Sequence, residues 1–269
     1  MPYLETSDGV TIHYEAAGAG RPLVFVHGWA MSGRVWRFQQ ELAGAYRLIT
    51  MDLRGHGQST TPAAGYAIED FAGDLAALVD NLDLSGAVLI GWSMGAQVAL
   101  QAFPAIRSRL AGLVLVAGTP KFSASEDYPY GLPAGDVKGM RLRLKRDYQK
   151  TMGEFFRGMF ATGEPDLEQY QRIVHEIVMV GHSPEPEAAR QALQTLADAD
   201  LRCILPRIDL PVLLVHGSQD TICLPTASRY MAERIPLSTL RIIEGSGHAP
   251  FMVRPTEFNG ILQDFLARI

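Results

Sequence analysis

Short apolar runs alternate with amphipathic stretches along the first 120 residues. Val10 to Glu15, Leu23 to Val26, Arg47 to Met51, Ala87 to Ile90 and Leu113 to Val116 read as strands. Several contain no polar residue, the pattern of a strand covered on both faces. Arg34 to Leu42 and Ile68 to Leu82 read as helices, the second from the spacing of Phe71, Leu75, Leu78, Val79 and Leu82. The alternation stops at Lys121. From there to Leu201, apolar residues such as Leu142, Leu144, Met152, Ile173, Ile177 and Leu193 sit among charges at helical periods. Breaks at Gly163-Glu164-Pro165 and Gly181-His182-Ser183-Pro184 suggest about four helices. Strands resume at Val212 to Val215 and Leu240 to Ile243, and a helix from about Pro255 to Ile269 closes the chain. Strands alternating with helices imply right-handed crossovers. The expected class is α/β, with a mostly parallel central sheet flanked by helices. Residues 1–120 and 202–269 form its core, and 121–201 an inserted helical lid.

The run Ala87 to Ile90 leads into Gly91-Trp92-Ser93-Met94-Gly95, and good helix formers follow from Ala96 to Leu100. Most serines between glycines are plain turns. A strand before and a helix after make this one a nucleophile elbow, a tight turn that lifts Ser93 off the sheet at a helix N-terminus.

A serine nucleophile needs a base, and the base needs an orienting acid. In an elbow fold these follow in the order serine, acid, histidine. Asp220 lies just past the strand Val212 to Val215, and His248 just past the strand ending at Ile243. Both belong at the sheet edge that carries Ser93, where open α/β sheets build their sites. An aspartate there could equally cap a turn, and a histidine there could be a solvated turn residue. Of seven histidines, His13 lies in an early strand, His175 and His182 in the insertion, and His56 in a glycine-rich turn. His216 stands at a strand end but precedes Asp220. His248 alone combines order, position and flanking glycines. Two backbone amides should serve the oxyanion: that of Met94, after the nucleophile, and that of Trp29, after His27-Gly28. The Trp29 indole would also wall the substrate pocket, with Ser93, Met94 and His248 at its floor.

Composition narrows the class. Hydrophobic residues make up 47% of the 269, enough for a large core and too many for a disordered chain. A formal net charge of −5 supplies no basic field for nucleic acid. Cys203 and Cys223 lack metal-ligand spacing and read as reduced thiols. No metal or cofactor is expected. The N-terminus lacks a basic segment followed by an apolar run, and no apolar run reaches the roughly 18 residues of a membrane span. A cytoplasmic monomer that binds no membrane is the expectation.

His27-Gly28-Trp29, Asp52-Leu53-Arg54-Gly55-His56-Gly57, Gly91-Trp92-Ser93-Met94-Gly95, Gly217-Ser218-Gln219-Asp220 and Gly247-His248 together resemble the α/β-hydrolases over nearly the whole chain. Finer pieces are similar to the pimeloyl-acyl-carrier-protein methyl ester esterases of biotin synthesis. These are the elbow, Thr119-Pro120-Lys121-Phe122-Ser123-Ala124, Tyr128-Pro129 and His248-Ala249-Pro250-Phe251. The resemblance implies a cofactor-free serine carboxylesterase that releases methanol from a carrier-bound pimeloyl ester. It also implies a helical lid presenting basic residues to the acidic carrier. Lys121 and Ala96 depart from that family's pattern, and the lid is its least similar part.

The lid's charges can be read independently. From Lys138 to Lys150 there are six cations against Asp147 alone. Arg143, Arg146, Lys150 and Arg157 recur at helical spacing, so on one continuous helix they share a face. Such a face is ordinarily just solvated. Beside a hydrolase pocket it also suits an acidic acyl carrier protein. Phe155, Phe156 and Met159 read as apolar lid residues, and Phe155 and Met159, four apart, could meet an acyl chain or belong to the lid's own core. The rival readings are a generalist short-acyl esterase acting on small-molecule esters, a carbon–carbon hydrolase or cofactor-free haloperoxidase, and a ligand receptor that retains the triad.

Overall fold

The computed structural model describes residues 2–269. Eight strands form one sheet in the order β1-β2-β4-β3-β5-β6-β7-β8. They are β1 (Tyr3–Glu5), β2 (Thr11–Ala17), β3 (Pro22–Val26), β4 (Arg47–Met51), β5 (Ala87–Trp92), β6 (Leu110–Val116), β7 (Val212–Gly217) and β8 (Ser238–Ile243). β1 and β2 run antiparallel to their neighbours, and β3 to β8 are parallel. The mostly parallel sheet expected from the alternation is present. The sequence pattern had missed β1, which is only three residues long.

The uninterrupted apolar runs have a direct cause. Along β3, Val24 and Val26 join one core cluster while Leu23 and Phe25 join the other. In β5, Ala87 and Leu89 oppose Val88, Ile90 and Trp92 in the same way. These two strands are buried on both faces, so Leu23 to Val26 and Ala87 to Ile90 are all apolar, and each full burial of a large side chain there is worth about 1.5–3 kcal/mol. Helices α1 (Ile68–Asn81) and α2 (Met94–Ile106) cover the first cluster with Phe71, Leu75, Leu78, Val98 and Leu100. The helix expected over Arg34 to Leu42 is present as a 3-10 helix, Gly33–Gly44, and puts Val35, Trp36 and Leu42 into the second.

Between β6 and β7 lie α3 (Ala134–Arg146), α4 (Tyr148–Gly158), α5 (Leu167–Ile173) and α6 (Pro186–Asp198). A π-helical stretch, Val174–Met179, continues α5. The expected continuous basic face is not there. Asp147 adopts extended backbone, ends α3, and caps α4 by accepting from the Lys150 amide at 3.1 Å. Arg143 and Arg146 therefore belong to one helix, and Lys150 and Arg157 to the next. The chain closes with α7 (Pro225–Ala232), α8 (Pro250–Val253) and α9 (Pro255–Leu266).

Candidate active site

β5 runs on through Gly91 and Trp92 and stops at Ser93, whose φ of 55° and ψ of −116° lie outside the regions open to most side chains. Such a conformation costs on the order of 1–3 kcal/mol. It is held by the Ser93 amide donating to the Val116 carbonyl at 2.9 Å and by the Ser93 carbonyl accepting from Ala96 at 3.0 Å. The two glycines are steric requirements. A β-carbon on Gly91 would strike the Gly95 carbonyl, and one on Gly95 would strike the Val26 and His27 carbonyls. The tight turn thus depends on close packing of the elbow against the end of β3.

Asp220 follows β7 and His248 follows β8, and the structure brings them together. His248 Nδ1 lies 2.7 Å from Asp220 Oδ2. Asp220 Oδ1 accepts from the Ile222 amide at 2.8 Å and the Cys223 amide at 3.0 Å. Burial works against ionising this carboxyl, but the His248 and His216 imidazoles outweigh it and hold its pKa well below the usual carboxylate range. Asp220 is therefore a carboxylate at neutral pH. Ser93, Asp220 and His248 are 4%, 4% and 1% exposed.

Ser93 and His248 are not hydrogen-bonded to each other. His248 Nε2 is buried with no partner among the described residues. The Ser93 hydroxyl instead lies beside the Cys223 thiol, whose pKa burial pushes well above its ordinary value. In unliganded enzymes the bond from nucleophile to base is often unmade. With Nδ1 donating to Asp220, the neutral ring keeps the lone pair of Nε2 available to accept a proton.

The amides of Trp29 and Met94 meet no acceptor among the described residues. Met94 opens α2, where the first amides lack helical partners. Trp29 is held by its indole, which donates to the Ala189 carbonyl on α6 at 2.7 Å and meets Phe155 edge-on at 4.8 Å. The preceding His27 accepts at Nε2 from the Leu53 amide at 2.9 Å, which ties this loop to the turn after β4. That turn is anchored in its own right. Asp52 accepts from Gly33, Gln58 and His13, and Arg54 makes a two-pronged pair with Asp74 at 2.7 and 2.6 Å. His56, read as structural, is buried there and donates from Nδ1 to the Arg54 carbonyl at 2.9 Å.

The lid residues divide. Phe155 is half-buried on Trp29, and Phe156 is buried against Phe160 and Tyr170. Met159 is fully buried in the second core cluster, and its carbonyl accepts from the His248 amide at 2.7 Å. It thus positions the loop bearing the histidine, a backbone role that its side chain does not reveal. Glu164 adds to this junction by accepting from Gly247 at 3.3 Å and from Arg254 at 2.8 Å. Arg143, Arg146, Lys150 and Arg157 are all exposed. A cleft of about 850 Å³, counted out to its solvent mouth, lies between α4 and the π-helical stretch. Met152, Phe156, Tyr170 and Ile177 line it, with Arg157 among them, but Ser93 and His248 do not.

His216, set aside on chain order, also reaches the carboxylate, at 3.0 Å from Asp220 Oδ2. Only its place at a strand end could have signalled this. Cys223, read as an ordinary thiol, faces Ser93 because the turn after Asp220 folds back on its own carboxylate.

A family model for the α/β hydrolase fold matches residues 21–255. The pimeloyl-[acyl-carrier protein] methyl ester esterase of Nitrosomonas europaea is 33% identical over 249 residues, covering 92% of this chain and 96% of that one. Among solved structures, an esterase (EaEST) from Exiguobacterium antarcticum has a TM-score of 0.91 at 30% identity over 98% of both chains. A bromoperoxidase from Bacillus anthracis has a TM-score of 0.90 at 29% identity over 96% of both.

Proposed function

The chain belongs to the α/β-hydrolase family and is a serine hydrolase of the esterase type, and from that premise we propose that Ser93, His248 and Asp220 are its catalytic triad. The supporting observation is the unpaired Nε2 of His248, buried beside the elbow while Nδ1 is held by Asp220. Ser93 rotates away from Cys223 toward this nitrogen and attacks the ester carbonyl as His248 takes its proton. Asp220 keeps the proton of the neutral ring on Nδ1 and stabilises the imidazolium. The amides of Trp29 and Met94 donate to the oxyanion. Collapse of the intermediate breaks the bond to the alkoxy group, which leaves as alcohol with the proton from His248. Water then cleaves the acyl-enzyme by the same steps. Since Ser93 is only 4% exposed, the lid shifts to admit substrate.

The preferred substrate, on this reading, is the methyl ester of pimeloyl-acyl-carrier protein, with methanol as the leaving alcohol. Its support is the activity named for the Nitrosomonas relative and the exposed cations of α3 and α4. The test compares kcat/KM for that carrier-bound ester, a free dimethyl diester and p-nitrophenyl butyrate. A clear preference for the carrier-bound ester is expected. Equal turnover of all three would leave a generalist esterase. Slow hydrolysis of all three would favour a receptor.

A further inference from the structure

Asp220 carries a second histidine. His216, the fifth residue of β7, places Nε2 3.0 Å from Asp220 Oδ2 and 2.8 Å from the Cys223 carbonyl. Its Nδ1 lies 2.7 Å from the Ser228 hydroxyl on α7. His216 and Ser228 are both fully buried. Two acceptors face Nε2, so that nitrogen bears the proton, and Nδ1 accepts from the Ser228 hydroxyl. The carboxylate then has four donors: two amides at Oδ1, and His216 and His248 at Oδ2. The titratable groups facing it are His216 from β7, His248 from the loop after β8, and the Cys223 thiol from its own turn. From α7 the partner is the neutral Ser228 hydroxyl, which touches His216.

We propose that His216, held in its Nε2–H form by Ser228, is a positioning residue for Asp220. It fixes the carboxylate toward His248 and sets how strongly Oδ2 attracts a proton onto that ring. This rests on the triad assignment given above. The sign follows from sharing one oxygen. The His216 bond withdraws charge from Oδ2, so removing it leaves more for His248 and favours the imidazolium. Because His248 must be neutral to act as base, the midpoint of the rising limb of kcat/KM against pH then moves up. At the same time a carboxylate with one anchor fewer holds the imidazole less well, and kcat falls.

The experiment compares His216→Phe, which removes the donor, with His216→Gln, whose amide nitrogen can occupy the place of Nε2. The loss of one hydrogen bond to a charged group predicts a fall of about tenfold in kcat for His216→Phe and a midpoint raised by about half a unit. His216→Gln should return the midpoint to within about 0.2 unit of the parent. A midpoint unchanged in folded His216→Phe overturns the proposal and leaves His216 a packing residue. Should His216→Phe fail to fold, Ser228→Ala decides. It leaves Nδ1 unpartnered and loosens the ring, so the midpoint should rise by a smaller amount, and no shift overturns the proposal. Asp220→Asn separates the two levels of inference, because full activity there would refute the triad, whatever His216 does.

Discussion

The ends of β5, β7 and β8 and the insertion, through Met159 just past α4, meet at His248, yet they are built by different means. At the strand ends, Ser93, His216, Asp220 and His248 are all buried, and their positions follow from backbone packed on both faces. In the insertion, α3 buries only Val137 and Leu144 and leaves Leu142 60% exposed. Leu167 and Met179 nearby are each 73% exposed. The insertion touches the proposed catalytic groups mainly through backbone and ring edges: the Met159 carbonyl on His248, and Phe155 on Trp29. Chemistry built into a rigid sheet edge tolerates little change. A helix such as α3, held by two buried side chains, can change its partners without disturbing that edge.

That contrast breaks most sharply at the nucleophile. Ser93→Ala should lower kcat by about 10⁵–10⁶, and His248→Ala by a similar amount, because triad members act as a unit. Asp220→Asn should cost about 10⁴. Steady-state kinetics on p-nitrophenyl butyrate, with circular dichroism to verify folding, would check this. Near-normal turnover in folded Ser93→Ala would remove the strand ends from the chemistry.

The second expectation concerns stability. Burial pushes the His56 imidazole down to about 3, with His27 nearby adding to the shift. His27 itself is lowered by burial. An unfolded histidine titrates near ~6.5. Between those values the unfolded chain takes a proton that the native state refuses, so stability falls as pH falls through that window. From pH 6.5 to 4 the loss traceable to His56 is about 3 kcal/mol. Urea unfolding at both pH values measures it, and His56→Asn should flatten the dependence. An unchanged slope would show that this turn contributes nothing to acid sensitivity.

The smallest effect is expected on the lid. The triple change Arg143→Glu, Arg146→Glu and Lys150→Glu should leave p-nitrophenyl butyrate hydrolysis within about threefold of the parent, since exposed charges act mainly on association. With a carrier-bound ester, kcat/KM should fall and its salt dependence should weaken. Equal loss on both substrates would mean that α3 and α4 had been destabilised. No loss on either would make the cations a solvated surface and remove the carrier from the proposed function.

The same division governs what could be read from residues alone. β4 was expected at Arg47 to Met51 and lies there, marked by the buried Leu48, Ile49 and Met51, and β3 differs by one residue, because a strand buried on both faces leaves an unbroken apolar run from Leu23 to Val26. The turn at Ser93 was legible from its glycines: Gly91 is required by the closure of the turn onto Gly95 and Ala96, and Gly95 by the packing of α2 against the end of β3. The break at Asp147 was hidden, because charge spacing over 143–157 is equally consistent with one helix or two, and only the extended backbone of the aspartate separates them. His216 was passed over because chain order ranks candidates for the base and says nothing of groups that support the acid. The role of Met159 was invisible, since a backbone carbonyl carries no residue signature.

The most direct test of the account is the site of covalent attachment. The protein is treated with one equivalent of a fluorophosphonate ester, residual activity is followed, and the adduct is located by peptide mass spectrometry. The account predicts one adduct per chain, on Ser93, with activity lost in proportion to labelling and no labelling of His248→Ala on the same timescale. An adduct on another residue, or a fully labelled protein that still turns over ester, would contradict it.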